Sequence, residues 1–492
     1  MIAYFLLFLI LAVSFAIKIP ALPLPLTGYF GSYQVANAMM AEMMSWNPTS
    51  ILIPRTFIVM DGHPSLHLLH YPFGSLAAFV LRSILGGDLG FWGHFQAAVA
   101  MFLAGGVLYL IVKKIFDTYT ALLSSLIFSF SPMVLLMGTS FQNEALAVLF
   151  LLLAFFLLMQ GKPGLNLAAG IVFSLALVAR PHFLVCLPAF LLYQFLKKDS
   201  IRHIFLFIVG CVIPVSLWFG FVYYLDQTHA GVKTSLYSQL GEGRILVHPL
   251  LGSPKFYQRL AEILLGPWLT PLMFPLLVGG FFSWDSKRLP FIVWVLGSLG
   301  TIILLPQKVH DHPFYLIQGI PAASVLIALS FRWMEPYLGR IAKTVFWAGF
   351  FLLVFRFYVP PAISSRAGGW SIQKVGEEIQ KLTKPEDKII ASYGTSAELL
   401  YYCHRLGWSF DVAMAEHPFR DRQERHVRKM ELGYGDPIKW LEYLRSQGAK
   451  YLIIAEPALF QRQTAFADYV TSHYSRLPLT NDSALLFDLS KE

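Results

Sequence analysis

Stretches of ~17–22 apolar residues recur along most of this 492-residue chain, each long enough to cross a hydrocarbon layer of ~30 Å. A segment in that solvent must satisfy its own backbone N–H and C=O groups, so runs of this length are read as helices. They fall at about 2–18, 94–112, 119–137, 144–161, 165–179, 183–197, 204–225, 266–284, 289–306, 314–331 and 344–360. That makes about eleven transmembrane helices. The opening run lacks a basic flank beyond Met1 and a small-residue cleavage site, so it reads as a retained helix rather than a signal peptide. The stretch from Phe73 to Leu85 is too short to span and reads as interfacial.

Charge divides the chain in two. From Arg366 to the end there are 17 basic and 17 acidic residues, whereas everything before it holds 21 basic and 12 acidic ones. The expected organisation is therefore a transmembrane domain over 1–361 with a long outer loop at 19–93, and an extracytoplasmic α/β domain over 362–492. Lys388–Ser392 and Lys450–Ala455 are short β-rich runs flanked by helical patterns at Ser371–Leu382, Ser396–Arg405 and Pro437–Gln447. No glycine-rich phosphate loop follows either strand. The net charge of +9 is scattered through the loops of the apolar part rather than gathered in a patch, which excludes a nucleic-acid partner.

Lysine and arginine in the short loops set the orientation. Lys113, Lys114, Lys162, Lys197, Lys198, Arg202, Lys287, Arg288, Arg332, Arg340 and Lys343 fall on one side, against single charges at Arg180 and Lys308 on the other. The N-terminus is thus expected in the cytoplasm and the C-terminal domain outside.

With so few carboxylates, acid–base chemistry on the outer face has a short list of candidates. Asp61, in the turn-forming Asp61-Gly62-His63-Pro64, is either a turn residue or a base. Glu144 opens an apolar helix in SFQNEALAVLFLLL, where the helix dipole alone would favour a carboxylate, although ionisable groups at membrane depth are functional by default. Arg180, in LVARPHF, either snorkels or clamps a phosphate. Lys308, His310, Asp311 and His312 form a second polar knot in LPQKVHDHPFYLIQGIP. Its spacing matches no standard metal-ligand motif, and a cationic pocket for a lipid head group is favoured over a metal.

The order of these features resembles the integral-membrane C-superfamily (GT-C) glycosyltransferases. The likeness is to the bacterial family-39-like branch, related to dolichyl-phosphate-mannose protein mannosyltransferases and lipid A aminoarabinose transferases. It rests on YQVANAMM (Tyr33–Met40), HYPFGSLAAFVLRSILGG (His70–Gly87), LIFSFSPMVLLMGTSFQNEALAVLFLLLAFF (Leu126–Phe156), AGIVFSLALVARPHFLVCLPA (Ala169–Ala189) and HDHPFYLIQGIPAASVLIA (His310–Ala328). The resemblance implies a transferase of a bacterial inner membrane that takes a sugar, hexosyl or pentosyl, from a polyprenyl-phosphate carrier. The acceptor would be an envelope lipid, polysaccharide or protein, and no cofactor would be needed. The alternative is a catalytically inactive relative that binds lipid-linked sugar or scaffolds envelope glycan assembly. The family's acid, a few residues before the first-loop tyrosine, has no counterpart here, because Thr27-Gly28-Tyr29-Phe30-Gly31-Ser32 contains none. Asp61 and Glu144 are therefore expected to be catalytic. Arg180, Lys308, His312 and Tyr315 are expected at the donor phosphate, and Arg55, His63 and Tyr33 to support the acceptor or the loop.

Overall fold

A computed structural model describes residues 1–60, 62–229, 249–282, 286–394, 396–413, 436–480 and 482–490, and the backbone of 232–235. The chain forms two compact units, one comprising 1–24, 68–228 and 234–364, the other 25–67, 229–233 and 365–492.

The first unit is helical. Among the described residues, six helices are long and apolar enough to span a membrane: Ile2–Ala21, Leu89–Ile115, Ile201–Thr228, Ser286–Leu304, Pro313–Tyr337 and Arg340–Leu382. A seventh span is possible if the bent pair Pro254–Trp268 and Met273–Phe281 is counted as one. Helices form at the places where eleven spans are expected, but the count of eleven is not met by length: Thr118–Phe130, Glu144–Leu158, Pro163–Ala179 and Pro181–Leu196 are shorter apolar helices, as is Phe73–Leu85, whose sequence reads as too short to span.

Local chemistry explains the breaks. The 119–137 stretch is divided at Ser131-Pro132, where proline restricts the residue before it and starts a new helix. The 266–284 stretch turns by 97° after a π-helical segment that contains Pro267. Thr270 then takes a left-handed φ of 73°, a conformation that no helix continues through. Elsewhere the ends are capped. The Asp88 carboxylate accepts the Phe91 N–H at 2.7 Å, and Asp117 accepts the Tyr119 and Thr120 N–H groups at 2.9 and 3.0 Å.

Packing inside the unit uses small residues. A Cβ on Gly170 would overlap the Phe207 carbonyl and one on Gly210 the Leu167 carbonyl, so Pro163–Ala179 and Ile201–Thr228 meet backbone to backbone.

The second unit carries a sheet. Its strands are β1 (Arg55–Met60), β2 (His63–Leu68), β3 (Val232–Ser235), β4 (Lys388–Ser392), β5 (Gly407–Ser409), β6 (Ala449–Ile454), β7 (Ser475–Leu477) and β8 (Leu485–Asp488). Their order is β3-β2-β1-β5-β4-β6-β8-β7. The centre, β1-β5-β4-β6, is parallel, while β1–β2, β6–β8 and β8–β7 are antiparallel. Ile389 and Ile390 of β4 and Leu452, Ile453 and Ile454 of β6 are fully buried, as strands covered on both faces require. Segment 25–67 is part of this unit. Phe57 of β1 stacks on Trp46 at 4.6 Å, and the Leu26 N–H donates to the Tyr402 hydroxyl at 2.7 Å.

Candidate active site

Within the helical unit, the polar residues at the ends of the short helices converge. Glu144 is the first residue of the Glu144–Leu158 helix, and Arg180 follows the last residue of Pro163–Ala179 with extended backbone angles. Leaving the helix there turns the Arg180 side chain toward Glu144. Its Nη2 lies 2.5 Å from Glu144 Oε1, with side-chain exposures of 3% and 0%. Such a pair is retained in a low-dielectric setting because each charge offsets the other; removing one partner would strand the second at a cost of ~3–5 kcal/mol.

Asn143, one residue earlier, ties this pair to a distant segment. Its Oδ1 accepts the Gly74 N–H at 2.9 Å and its Nδ2 donates to the Tyr71 carbonyl at 2.9 Å. The Tyr71 N–H in turn donates to the Val178 carbonyl at 3.1 Å, two residues before Arg180. Gly74 is needed at this crossing, since a Cβ would come within 3.2–3.3 Å of the Gln142 carbonyl, the Gln96 amide and the Asn143 Oδ1. The His70–Gly74 turn, the Gln142–Glu144 helix start and the Val178–Arg180 helix end are thus one hydrogen-bonded knot.

Its aromatic side comes from the Pro313–Gly319 segment. The Arg180 guanidinium carbon lies 5.9 Å from the Phe314 ring centroid, and His182 packs on Tyr315 at 4.6 Å. His312 stacks on Phe314 and Tyr315 at 5.4 and 6.3 Å. Two indoles fix this segment: Trp268 Nε1 donates to the Leu316 carbonyl at 2.9 Å and Trp294 Nε1 to the Gln318 carbonyl at 2.7 Å. Carbonyls that a regular helix would have satisfied internally are satisfied by side chains, which is what allows irregular backbone within an apolar setting.

Lys308 is buried in the preceding short helix, Pro306–Asp311. His310 Nδ1 and Gln307 Nε2 engage the two oxygens of Asp311 at 2.9 and 2.7 Å. Burial pushes the Asp311 carboxyl up, but these hydrogen bonds and the charges of His312 and His310 outweigh it and hold the carboxyl below its ordinary value. Among the described residues no three His, Cys, Asp or Glu side chains are grouped so as to hold a metal ion.

The sequence candidates therefore divide between the units. Glu144 and Arg180 meet directly, and His312 and Tyr315 join them through the aromatic layer. Arg55, His63 and Tyr33 belong to the other unit: Arg55 is half-buried at the start of β1, His63 is exposed at the start of β2, and Tyr33 is half-buried on the Gly31–Trp46 helix. Asp61 lies outside the described residues. Sequence reasoning did not single out Asn143, His182 or Lys18. Lys18 is 2% exposed, donates to the Ser14 carbonyl and hydroxyl at 3.1 and 2.9 Å, and lays its stem against Gly138. The only signal for Asn143 was its place beside Glu144, in the short polar stretch Ser140–Glu144 that opens an apolar helix.

Residues 71–223, which hold most of this knot, match the family model described as dolichyl-phosphate-mannose-protein mannosyltransferase. No curated protein matches the sequence. Solved structures share the fold. ArnT from Cupriavidus metallidurans bound to undecaprenyl phosphate superposes with a TM-score of 0.69 at 12% identity, over 97% of each chain. The Archaeoglobus fulgidus oligosaccharyltransferase in its apo form gives a TM-score of 0.58 at 11% identity, over 96% of this chain and 73% of that one. The arabinofuranosyltransferase AftD from Mycobacteria gives 0.56 at 11% identity, over 98% of this chain and 40% of that one. The resemblance to GT-C transferases read from the sequence is met by both the family model and the fold, and the chain is a multi-pass membrane protein.

Proposed function

We propose that this protein transfers a sugar from a polyprenyl-phosphate carrier to an envelope acceptor on the outer side of a bacterial inner membrane. The observation that carries the reading is the buried Glu144–Arg180 pair, set against Phe314 and tied by Asn143 to the Tyr71–Gly74 turn. The fold shared with an ArnT bound to undecaprenyl phosphate supports the choice of donor class.

In this reading Glu144 fixes the Arg180 guanidinium, and Arg180, with Lys308, His312 and Tyr315, receives the donor's phosphate. Cations stabilise the phosphate as it leaves with the bonding electron pair, and a carboxylate takes the proton of the acceptor hydroxyl. Asp61 is the carboxylate that the sequence nominates for the second task. No cofactor is required, because the carrier phosphate is the leaving group. The N-terminus lies in the cytoplasm and the chain after Pro361 lies outside.

The test is incubation of purified protein with radiolabelled polyprenyl-phosphate sugars and a bacterial membrane extract. Label should move from the carrier to a lipid, polysaccharide or protein pool. If wild-type protein binds the carrier but moves no label from any donor, the inactive, lipid-linked-sugar-binding reading replaces this one.

A further inference from the structure

The first helix of the membrane unit carries a cation that its packing does not match. Within the span Ile2–Ala21 the fully buried residues are Leu11, Ser14, Lys18 and Ala21, spaced three or four apart along one face. Phe5, Leu9 and Val13, on the opposite side, are exposed. A lysine near the end of a lipid-facing helix ordinarily snorkels, with its stem along the apolar surface and its ammonium among the head groups. Lys18 is turned inward instead and is 2% exposed.

An ammonium has three N–H groups to satisfy. Lys18 donates to the Ser14 carbonyl at 3.1 Å and the Ser14 hydroxyl at 2.9 Å, both one turn back on its own helix. Among the described residues it has no further acceptor and no carboxylate partner. Its stem lies against Gly138, where a Cβ would come within 2.6 Å of the Lys18 Cε. Gly138 ends the short helix Pro132–Met137, and a cation at a helix C-terminus can serve as its cap. Lys18 is not needed for that. The Val134 and Met137 carbonyls accept the Gly138 and Ser140 N–H groups at 2.9 and 3.4 Å. The Thr139 hydroxyl donates to the Leu135 carbonyl at 3.2 Å, and the Ser140 hydroxyl to the Leu136 carbonyl at 3.0 Å.

A buried charge without a counter-ion is among the costliest features a fold can carry. At the end of a membrane-spanning helix, the level at which lipid phosphates lie, such a group marks a ligand site rather than a packing device. The surrounding chain agrees. Gly138 opens the connection 138–143, which runs directly into Glu144, and the Pro132–Met137 helix before it packs against the Pro313–Gly319 segment. The Lys18 stem therefore lies on the stretch of chain that carries Asn143 and Glu144. In that neighbourhood the Arg180 charge is already balanced by Glu144, whereas the Lys18 charge is not. An incoming anion is matched by the unbalanced one.

We propose that Lys18 binds a lipid-borne phosphate in the helical unit. That the phosphate belongs to the sugar carrier rests on the transferase reading above; the anion site itself rests on the buried ammonium. A bilayer phospholipid presents the same chemistry and is the other source. Lys18 rests on Ser14, and a turn about its own side-chain torsions carries the ammonium to a phosphate oxygen without leaving a carboxylate behind. A charge-assisted hydrogen bond of this kind is stronger than a neutral one. An uncharged polyprenol would leave the ammonium as unmatched as before, so the site discriminates between the phosphate and the alcohol of the same chain.

The experiment measures equilibrium binding of three radiolabelled lipids to the full-length protein in detergent: undecaprenyl phosphate, undecaprenol and phosphatidylglycerol. Lys18→Met keeps the length of the stem and removes the charge. It should weaken binding of undecaprenyl phosphate by roughly 10–100-fold, the range of a hydrogen bond to a charged group, and leave undecaprenol unchanged. The variant without lipid should melt no lower than wild type, because an unmatched buried charge has been removed. A Lys18-dependent affinity for phosphatidylglycerol in place of undecaprenyl phosphate would uphold the anion site and assign it to a bilayer lipid. Wild-type affinity of Lys18→Met for both phosphate-bearing lipids would overturn the proposal. If Lys18→Met fails to fold, Lys18→Gln, which can still donate to Ser14, takes its place, and an undiminished preference for phosphate over alcohol overturns it. The readout is binding, so a wild type that moves no sugar removes the transferase reading and leaves this test standing.

Discussion

Arg180 reaches Glu144 across a helix end and a helix start, Nη2 to Oε1 at 2.5 Å, in a place where neither side chain is more than 3% exposed. Two charges withdrawn together from water are held by each other, and each is costly alone. Glu144→Gln and Arg180→Gln should each lower stability by ~3–5 kcal/mol, and the double variant should lose much less than the sum. Thermal unfolding of the four proteins in one detergent checks this. Additive losses would mean that the two groups are not coupled.

Asn143 should matter for a different reason. Its amide serves Gly74 and Tyr71 at once, so Asn143→Ala leaves one buried N–H and one carbonyl without their partner, at ~1–3 kcal/mol for each. Asn143→Asp keeps the acceptor for Gly74, loses the donor to Tyr71, and adds a charge beside Glu144. Both variants should bind donor more weakly than wild type, with the aspartate the worse of the two. Equal donor affinity in all three proteins would separate the Tyr71–Gly74 turn from the donor site.

How much of this was legible beforehand depended on whether the signal was local. Apolar runs gave the helix positions, and Lys388–Ser392 is observed as read, because strand and helix periodicities are local properties. Span number was less legible: proline at 132 and 181 divides or shortens helices without lowering the hydropathy around them. Glu144 and Arg180 could each be picked as rare charges in apolar context, but nothing in one sequence says that they touch. The same holds for β1 pairing in parallel with β5, whose residues lie in the far half of the chain.

Helix packing in the membrane unit offers a test independent of activity. Gly170 and Gly210 sit where a Cβ would meet the opposite helix's backbone carbonyl, and backbone cannot swing aside as a side chain can. Gly170→Leu and Gly210→Leu should both reduce the yield of folded protein strongly, and Gly170→Ala should cost less than Gly170→Leu. Gly164 and Gly220, on the same two helices but with open space around them, should accept alanine with little change. Gel-filtration profiles in detergent report the outcome.

The pH dependence of stability separates two carboxylates of the sheet-bearing unit by sign. Burial works against the charge of Asp387, but the Lys450 ammonium at 2.6 Å and the Lys384 N–H at 2.8 Å outweigh it and hold the carboxyl below its ordinary value. A depressed acid stabilises the fold above its unfolded pKa of ~3.9 and loses that contribution as pH falls through the folded value. Glu398 is the reverse. The unfolded chain releases this proton near ~4.3, while the folded protein holds it until about 7, so over that interval the folded state binds more protons. Stability contributed by Glu398 is therefore fully present below ~4.3 and declines as pH rises toward 7. Glu398→Gln removes the decline. Relative to wild type, the variant should melt at a higher temperature at pH 8 than it does at pH 5, whereas Asp387→Asn should lower the melting temperature at both. A Glu398→Gln variant whose melting temperature tracks wild type across this range would show that the carboxyl is not held protonated in the folded protein.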